Sequence, residues 1–284
     1  MMFHVKHLGI ADHYRLRKDG HMGNKRKKPG NPTHVVAIMN QKGGVGKTTT
    51  AVNVAAAIGE MGYKVLVVDL DPQGNTTSGF GVEKDKVENS VYDMLLGDNA
   101  AQDAVLKVDS KNISILPSTI QLAGAEIELV SVTSRETRVK DALADVKDEY
   151  DYVFMDCPPS LGILTMNALT AATDLLVPIQ CEYYALEGVA KLLETTKMVK
   201  AHLNPSLELL GVVMTMYDKR TTLSRQVVKE VKGYFGYKVF KTMIPRNVRL
   251  SEAPSYGQPI VSYAPKSKGA ESYRKLAKEV VARG

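Results

Sequence analysis

From residue 34 onward, short unbroken apolar runs alternate with stretches in which apolar residues recur every three or four positions. Val35-Val36-Ala37-Ile38-Met39 is too short for a helix and has no polar face, so it predicts a strand buried on both sides over 35–39. Over 48–61, Ala51, Val54, Ala55 and Ile58 share one face of a helix, and Gly62 suits the position just past its end. Val65-Leu66-Val67-Val68-Asp69 repeats the strand pattern. Further strands are expected at Ile113–Leu116, Tyr152–Asp156, 175–179, 209–215 and 239–244. Helices are expected over 120–147, 160–172, 185–202, 222–235 and 268–282. This rhythm predicts an α/β fold: a mostly parallel twisted sheet with helices on both faces. Ligands of such sheets sit at the carboxyl ends of the strands.

Charge divides the chain. Residues 1–33 carry eight Lys and Arg against two Asp, which accounts for the whole net charge of +6 and leaves residues 34–284 neutral. The segment also holds four of the six histidines, lacks apolar periodicity and ends in Lys-Pro-Gly-Asn-Pro-Thr. It is expected to be a disordered basic tail, with one domain over 34–284. Two readings of the tail stay open: an arm that attracts nucleic acid, or a solvated extension that includes an upstream start, with Met22 as the alternative. No apolar run reaches the roughly 18–20 residues of a membrane span, and no secretory signal is evident. Two cysteines, Cys157 and Cys181, make no disulfide framework and fit a reducing cytoplasm. No Cys/His spacing suggests zinc.

The chemistry is concentrated at strand ends. After the first strand comes Lys42-Gly43-Gly44-Val45-Gly46-Lys47-Thr48-Thr49, then a helix. In such a loop, backbone N–H groups cradle phosphate oxygens and the helix N-terminus adds its positive dipole end. Glycines are needed because a Cβ would block close approach. Lys47 is placed to hold the β- and γ-phosphates, and the Thr48 hydroxyl to bind magnesium. The ordinary phosphate loop has glycine six residues before its lysine; here that position is Gln41, and a second lysine, Lys42, opens the loop. Taken alone, Lys42 reads either as part of the site or as a solvated surface lysine.

Asp69-Leu70-Asp71-Pro72-Gln73-Gly74-Asn75 follows the second strand. Asp71 is placed to orient a water near a γ-phosphate or, alternatively, to cap the Asp-Pro turn. Asp69 reads as structural or as an outer-sphere magnesium group. Tyr152-Val153-Phe154-Met155-Asp156 ends in an acid, the arrangement that holds magnesium through water. The candidate metal residues are thus Thr48, Asp71 and Asp156. Cys157 has no neighbouring base and reads as a small buried residue.

The loop resembles the deviant Walker A motif of the ParA/MinD ATPase superfamily. That resemblance implies an ATP-dependent homodimer in which Lys42 crosses to the partner's nucleotide, and it makes Asp71 the hydrolytic residue. Catalysis would then rest on Lys42, Lys47 and Asp71, and phosphate binding on residues 42–49. Met214-Thr215-Met216-Tyr217-Asp218 and Ile244-Pro245-Arg246-Asn247-Val248-Arg249 are similar to the segments that flank the base in this family. They implicate Pro245 and Asn247, then Met216 and Asp218; the alternative is that Pro245 and Asn247 shape a turn. No cysteine precedes the 152–156 strand, which departs from the related cluster-bridged iron protein.

The match continues through Leu250-Ser251-Glu252-Ala253-Pro254-Ser255-Tyr256-Gly257 and Lys266-Ser267-Lys268-Gly269-Ala270, so residues 34–284 are similar to the chromosomal Soj/ParA branch. The branch implies ATP and Mg2+ as ligands, nonspecific DNA binding through Arg220 and Arg249, and a ParB-like partner that stimulates hydrolysis. It also implies a cytoplasmic, nucleoid-associated location without stable membrane binding. Lys219, Arg225, Lys229, Lys232 and Lys241 are candidates to extend the DNA face. Two other readings remain. A MinD-like membrane regulator needs a bulky amphipathic terminal helix, and 271–281 offers only a modest Leu/Ala/Val face. An ATP-dependent carboxylating or amidating enzyme needs a second substrate pocket, which the sequence does not reveal.

Overall fold

The computed structural model describes residues 32–97, 100–183 and 185–284. The expected tail falls almost wholly outside them; Thr33 lies inside and is buried, its hydroxyl donating to the Lys147 and Tyr150 carbonyls at 3.0 and 2.9 Å.

The chain runs β1 (His34–Ile38), α1 (Lys47–Glu60), β2 (Val65–Asp69), α2 (Asn75–Gly79), α3 (Val91–Leu96), α4 (Ala101–Ala104), β3 (Leu106–Lys107), β4 (Ile113–Leu116), α5 (Leu122–Glu128), α6 (Arg138–Leu143) and β5 (Tyr152–Asp156). It continues with α7 (Ile163–Ala171), β6 (Asp174–Gln180), α8 (Glu187–His202), β7 (Glu208–Thr215), α9 (Thr222–Phe235), α10 (Val248–Glu252), α11 (Ile260–Tyr263) and α12 (Lys268–Arg283). The sheet order is β3-β4-β2-β5-β1-β6-β7, parallel throughout except for the edge strand β3.

The unbroken apolar runs are explained by burial on both faces. Alternate residues of one strand point to opposite sides. Val35, Ala37, Val153 and Met155 belong to the core on one face, beneath α3, α5, α6, α7, α8 and α9. Val36, Ile38, Tyr152 and Phe154 belong to the other, beneath α1 and α12.

Two expectations are corrected. The helix expected over 120–147 is broken into α5 and α6, because Ser131-Val132-Thr133-Ser134 intervenes. There the Ser131 and Thr137 hydroxyls donate to the Glu128 and Ser134 carbonyls, and Ser134 takes a positive φ of 57°. Residues 239–244 form no strand. Phe240 and Ile244 donate to β7 carbonyls at 2.9 and 2.8 Å, but the Lys241 and Thr242 amides turn to the Glu279 carboxylate of α12, which interrupts the ladder. The two-residue edge strand β3 is too short to carry a periodicity of its own.

Candidate nucleotide site

The carboxyl ends of β1, β2 and β5 meet at one edge, where Asp156 is in register with Ile38 on one side and Asp69 on the other. The 40–46 loop leaves β1 here. Gly44 and Gly46 adopt left-handed φ of 71° and 89°, which residues with a Cβ rarely tolerate. Asn40 braces the loop, donating to the Pro178 carbonyl at 2.7 Å and accepting from the Lys42 amide at 3.0 Å. Thr215, at the end of β7, donates to the Val45 carbonyl at 2.7 Å. Neither brace has a signal in the local sequence.

Helix α1 follows Gly46 as its N-cap residue, with no side-chain cap and no acid in its first turn. Its first amides therefore lack an intrahelical partner and form an anion site. Lys47 is buried beside them, with its ammonium 3.4 Å from the Lys42 carbonyl. Burial pushes its pKa down, while Asp156 and Asp71 pull it back.

Asp156 is fully buried. Its Oδ2 accepts from the Thr48 and Thr76 hydroxyls, both at 2.7 Å, while its Oδ1 has no hydrogen-bond partner among the described residues. Burial raises its pKa. An orphaned carboxylate oxygen, a threonine hydroxyl with free lone pairs and an anion cradle next to both fit a magnesium ion carried by a polyphosphate.

Asp69 lies alongside and is also fully buried. It accepts from the Thr77 amide and hydroxyl at 2.8 and 2.7 Å and from the Asp71 amide at 3.2 Å. It therefore anchors α2 and the Asp71 turn, in keeping with its structural reading. Asp71 accepts from the Gln73 amide at 3.0 Å, so the capping reading holds, yet its charge also acts on Lys47 and Asp156. The turn closes at Gly74, where a Cβ would stand 2.9 Å from the Ser118 carbonyl. Cys157 is buried, and burial raises its thiol well above the ordinary value.

Lys42 pairs with Glu182 at 3.6 Å, and the same carboxylate lies 3.6 Å from Arg246. The local sequence around Glu182 carries no signal for this role.

The segments expected to flank a base are joined. Tyr217 donates to the Ile244 carbonyl at 2.9 Å and Arg246 to the Tyr217 carbonyl at 3.3 Å, bringing Met216, Asp218, Pro245 and Asn247 together. Through Thr215 they adjoin the phosphate loop. A cavity of about 370 Å³ is lined by the first two turns of α1, by α2 and by residues 253–258. It shares Thr48 and Thr49 with the loop but none of the base segments. Arg220 and Arg249 are exposed, as are Lys219, Arg225, Lys229, Lys232 and Lys241; the Lys241 amide is tied to Glu279.

Phosphate loop, buried acids and strand order together define a P-loop nucleotide-binding protein. A model of the AAA domain family matches residues 33–209. The sporulation initiation inhibitor protein Soj of Bacillus subtilis is 58% identical over 250 residues, covering 88% of this chain and 99% of its own length. The chromosome partitioning protein ParA of Myxococcus xanthus is 50% identical, covering 88% of each. Among solved structures, cobyrinic acid a,c-diamide synthase from Mycobacterium smegmatis with bound ADP and magnesium has a TM-score of 0.77 at 44% identity, covering 87% of this chain and 93% of that one. The chain belongs to the ParA/Soj family of chromosome-partitioning ATPases. It is an ATP hydrolase, and ATP with magnesium is the ligand pair its cradle fits.

Proposed function

We propose that the protein is a nucleotide switch for DNA segregation. Bound to ATP it forms a homodimer that holds DNA without regard to sequence, and a ParB-like partner stimulates hydrolysis and release. The site lies on the nucleoid in the cytoplasm. The observation that carries this reading is the position of Lys42. The loop already contains one buried lysine, Lys47, while Lys42 stands at the rim and pairs with Glu182, available to a second subunit.

Lys47 and the first amides of α1 bind and orient the β- and γ-phosphates. Thr48 and Asp156 would hold magnesium, which would supply neutralisation of phosphate charge. Asp71 orients water at the γ-phosphate, and Lys42 of the partner subunit adds positive charge where negative charge develops. Met216, Asp218, Pro245 and Asn247 contact the base. Arg220 and Arg249 neutralise DNA phosphates.

The membrane reading is not favoured. Ala270, Tyr273, Leu276, Ala277 and Val280 of α12 are buried in the core against α1, so its apolar face is already used. Among the described residues no helix is long and apolar enough to cross a membrane. The test is binding of a nonspecific duplex with ATP, with ADP and without nucleotide, each with and without a candidate ParB. ATP-dependent, salt-sensitive binding that the partner abolishes is expected. Equal binding in all three nucleotide states would refute the switch.

A further inference from the structure

Asp218 and Asn247, the polar side chains assigned to the base, perform the same task in their loops. Asp218 Oδ1 accepts from the Arg220 amide at 3.0 Å, and Asn247 Oδ1 accepts from the Arg249 amide at 2.9 Å. In each segment a base contact is therefore followed, two residues on and through one hydrogen bond, by a DNA arginine. The Tyr217–Ile244 and Arg246–Tyr217 backbone bonds join the two segments.

Both arginine side chains are also engaged. The Arg220 guanidinium makes three bonds to Asp218: Nε to Oδ1 at 3.0 Å, Nε to Oδ2 at 3.3 Å and Nη2 to Oδ2 at 2.8 Å. Arg249 Nη1 donates to Glu252 Oε2 at 2.9 Å, and the same oxygen accepts from the Tyr263 hydroxyl at 3.1 Å. The bonds from Arg220 hold the Asp218 carboxyl down at about 2, so it is ionised at any working pH. The Arg220 side chain nonetheless remains 83% exposed, so the arginine is restrained rather than hidden. A DNA phosphate must compete with a carboxylate for the same planar donor fork.

We propose that Asp218 and Glu252 are acidic latches on the DNA-binding arginines, and that filling the base site frees Arg220 by drawing Asp218 away from it. This rests on the ATP- and DNA-binding reading above and adds the residues that couple the two. Nucleotide shifts the balance because Asp218 makes different contacts in the two states, which is the condition for any ligand to drive a change. Exposed pairs are weak, so each latch is expected to lower DNA affinity only about two- to five-fold.

The test measures a fluorescent nonspecific duplex by anisotropy at low salt, with wild type, Asp218→Asn and Glu252→Gln. Asparagine can still accept from the Arg220 amide, so the loop is kept while the charge is lost. Without nucleotide, both variants are expected to bind about two- to five-fold more tightly. Their log–log salt slopes should steepen by about one phosphate contact. At saturating ATP, the enhancement over the nucleotide-free state should shrink for Asp218→Asn. The gains should vanish when the matching arginine is replaced as well, in Asp218→Asn/Arg220→Ala and Glu252→Gln/Arg249→Ala. A gain that survives loss of the arginine means the carboxylates merely repel DNA, and overturns the latch. Both single variants matching wild type in every nucleotide state, while wild type binds DNA more tightly with ATP, overturns the latch and leaves the switch standing. Wild type that binds DNA in no nucleotide state overturns both.

Discussion

Thr77 ties the Asp71 turn to the sheet, and Thr77→Val measures how strongly. Valine keeps the shape and removes one oxygen. That oxygen donates to Asp69 Oδ2 at 2.7 Å and accepts from the Ser118 amide at 2.9 Å, and all three groups are buried. Losing a hydrogen bond to a buried carboxylate costs about 1.5–3 kcal/mol, and leaving a buried N–H unpaired costs about 1–3 kcal/mol. The Asp69–Thr77 amide bond at 2.8 Å survives, which favours the lower halves of these ranges. The expected loss is therefore about 3–4 kcal/mol, or a fall in Tm of roughly 6–15 °C for a domain of this size. Urea denaturation of the ligand-free protein at pH 8, where Asp69 is ionised, reads it directly, and Thr77→Ser should restore most of the loss. A cost below about 1 kcal/mol would mean that the hydroxyl is replaceable, and that Asp69 does not hold the turn as described.

Asp71→Ala is expected to leave ATP affinity within a few-fold and to lower turnover on the order of 10²–10⁴-fold, measured as phosphate release; unchanged turnover removes Asp71 from the chemistry. Gly46→Ala forces a Cβ onto a residue at φ 89°, with room beside Thr215 at 3.7 Å, so backbone strain of about 1–2 kcal/mol is expected. Nucleotide affinity, read by calorimetry, should fall with it. Burial raises the Asp69 and Asp156 carboxyls to about 7 and about 6, so the folded state keeps protons that the unfolded chain releases from pH 4 upward. Their contribution is complete below about pH 4 and is lost as pH rises through 7, on the order of a few kcal/mol in the ligand-free protein. Urea midpoints at pH 5 and 8 should show the fall, and Mg-ATP should flatten it by giving the ionised Asp156 Oδ1 a cation. A ligand-free midpoint that rises between these values would refute the assignment.

What the sequence carried legibly was local. The unbroken runs in β1, β2 and β5 predicted strands buried on both faces. The glycine loop announced itself because its chemistry requires contiguous residues. Helix α9 is framed by residues that act within one turn: Thr221 caps it by accepting from the Ser224 amide, and Gly236 ends it. The signal for α3 was also present, since Ser90 and Asp93 form a capping box three residues apart, but six residues show no periodicity to support it.

The rest depends on distant partners. Thr76 and Thr77 lie in a five-residue helix, and their hydroxyls matter only because β5 and β2 end beside them. Glu182 meets Lys42 across 140 positions. Residues 239–244 have the composition of a strand, and only the Glu279 carboxylate, from the last helix, turns two of their amides away. The separation of Arg220 and Arg249 from the phosphate loop likewise becomes intelligible only through the bonds between Tyr217 and the 244–246 backbone.

In the proposed dimer, each catalytic site is completed by Lys42 from the other subunit. Mixing two inactive variants, Lys42→Ala and Asp71→Ala, tests it by ATP turnover. In a mixed dimer, the subunit that keeps Asp71 receives Lys42 from its partner, so one of its two sites is whole. With random pairing, half the dimers are mixed, and an equal mixture should recover about a quarter of wild-type turnover. If Lys42 instead serves its own loop, every site in every dimer lacks one residue, and the mixture will be as inactive as either variant alone.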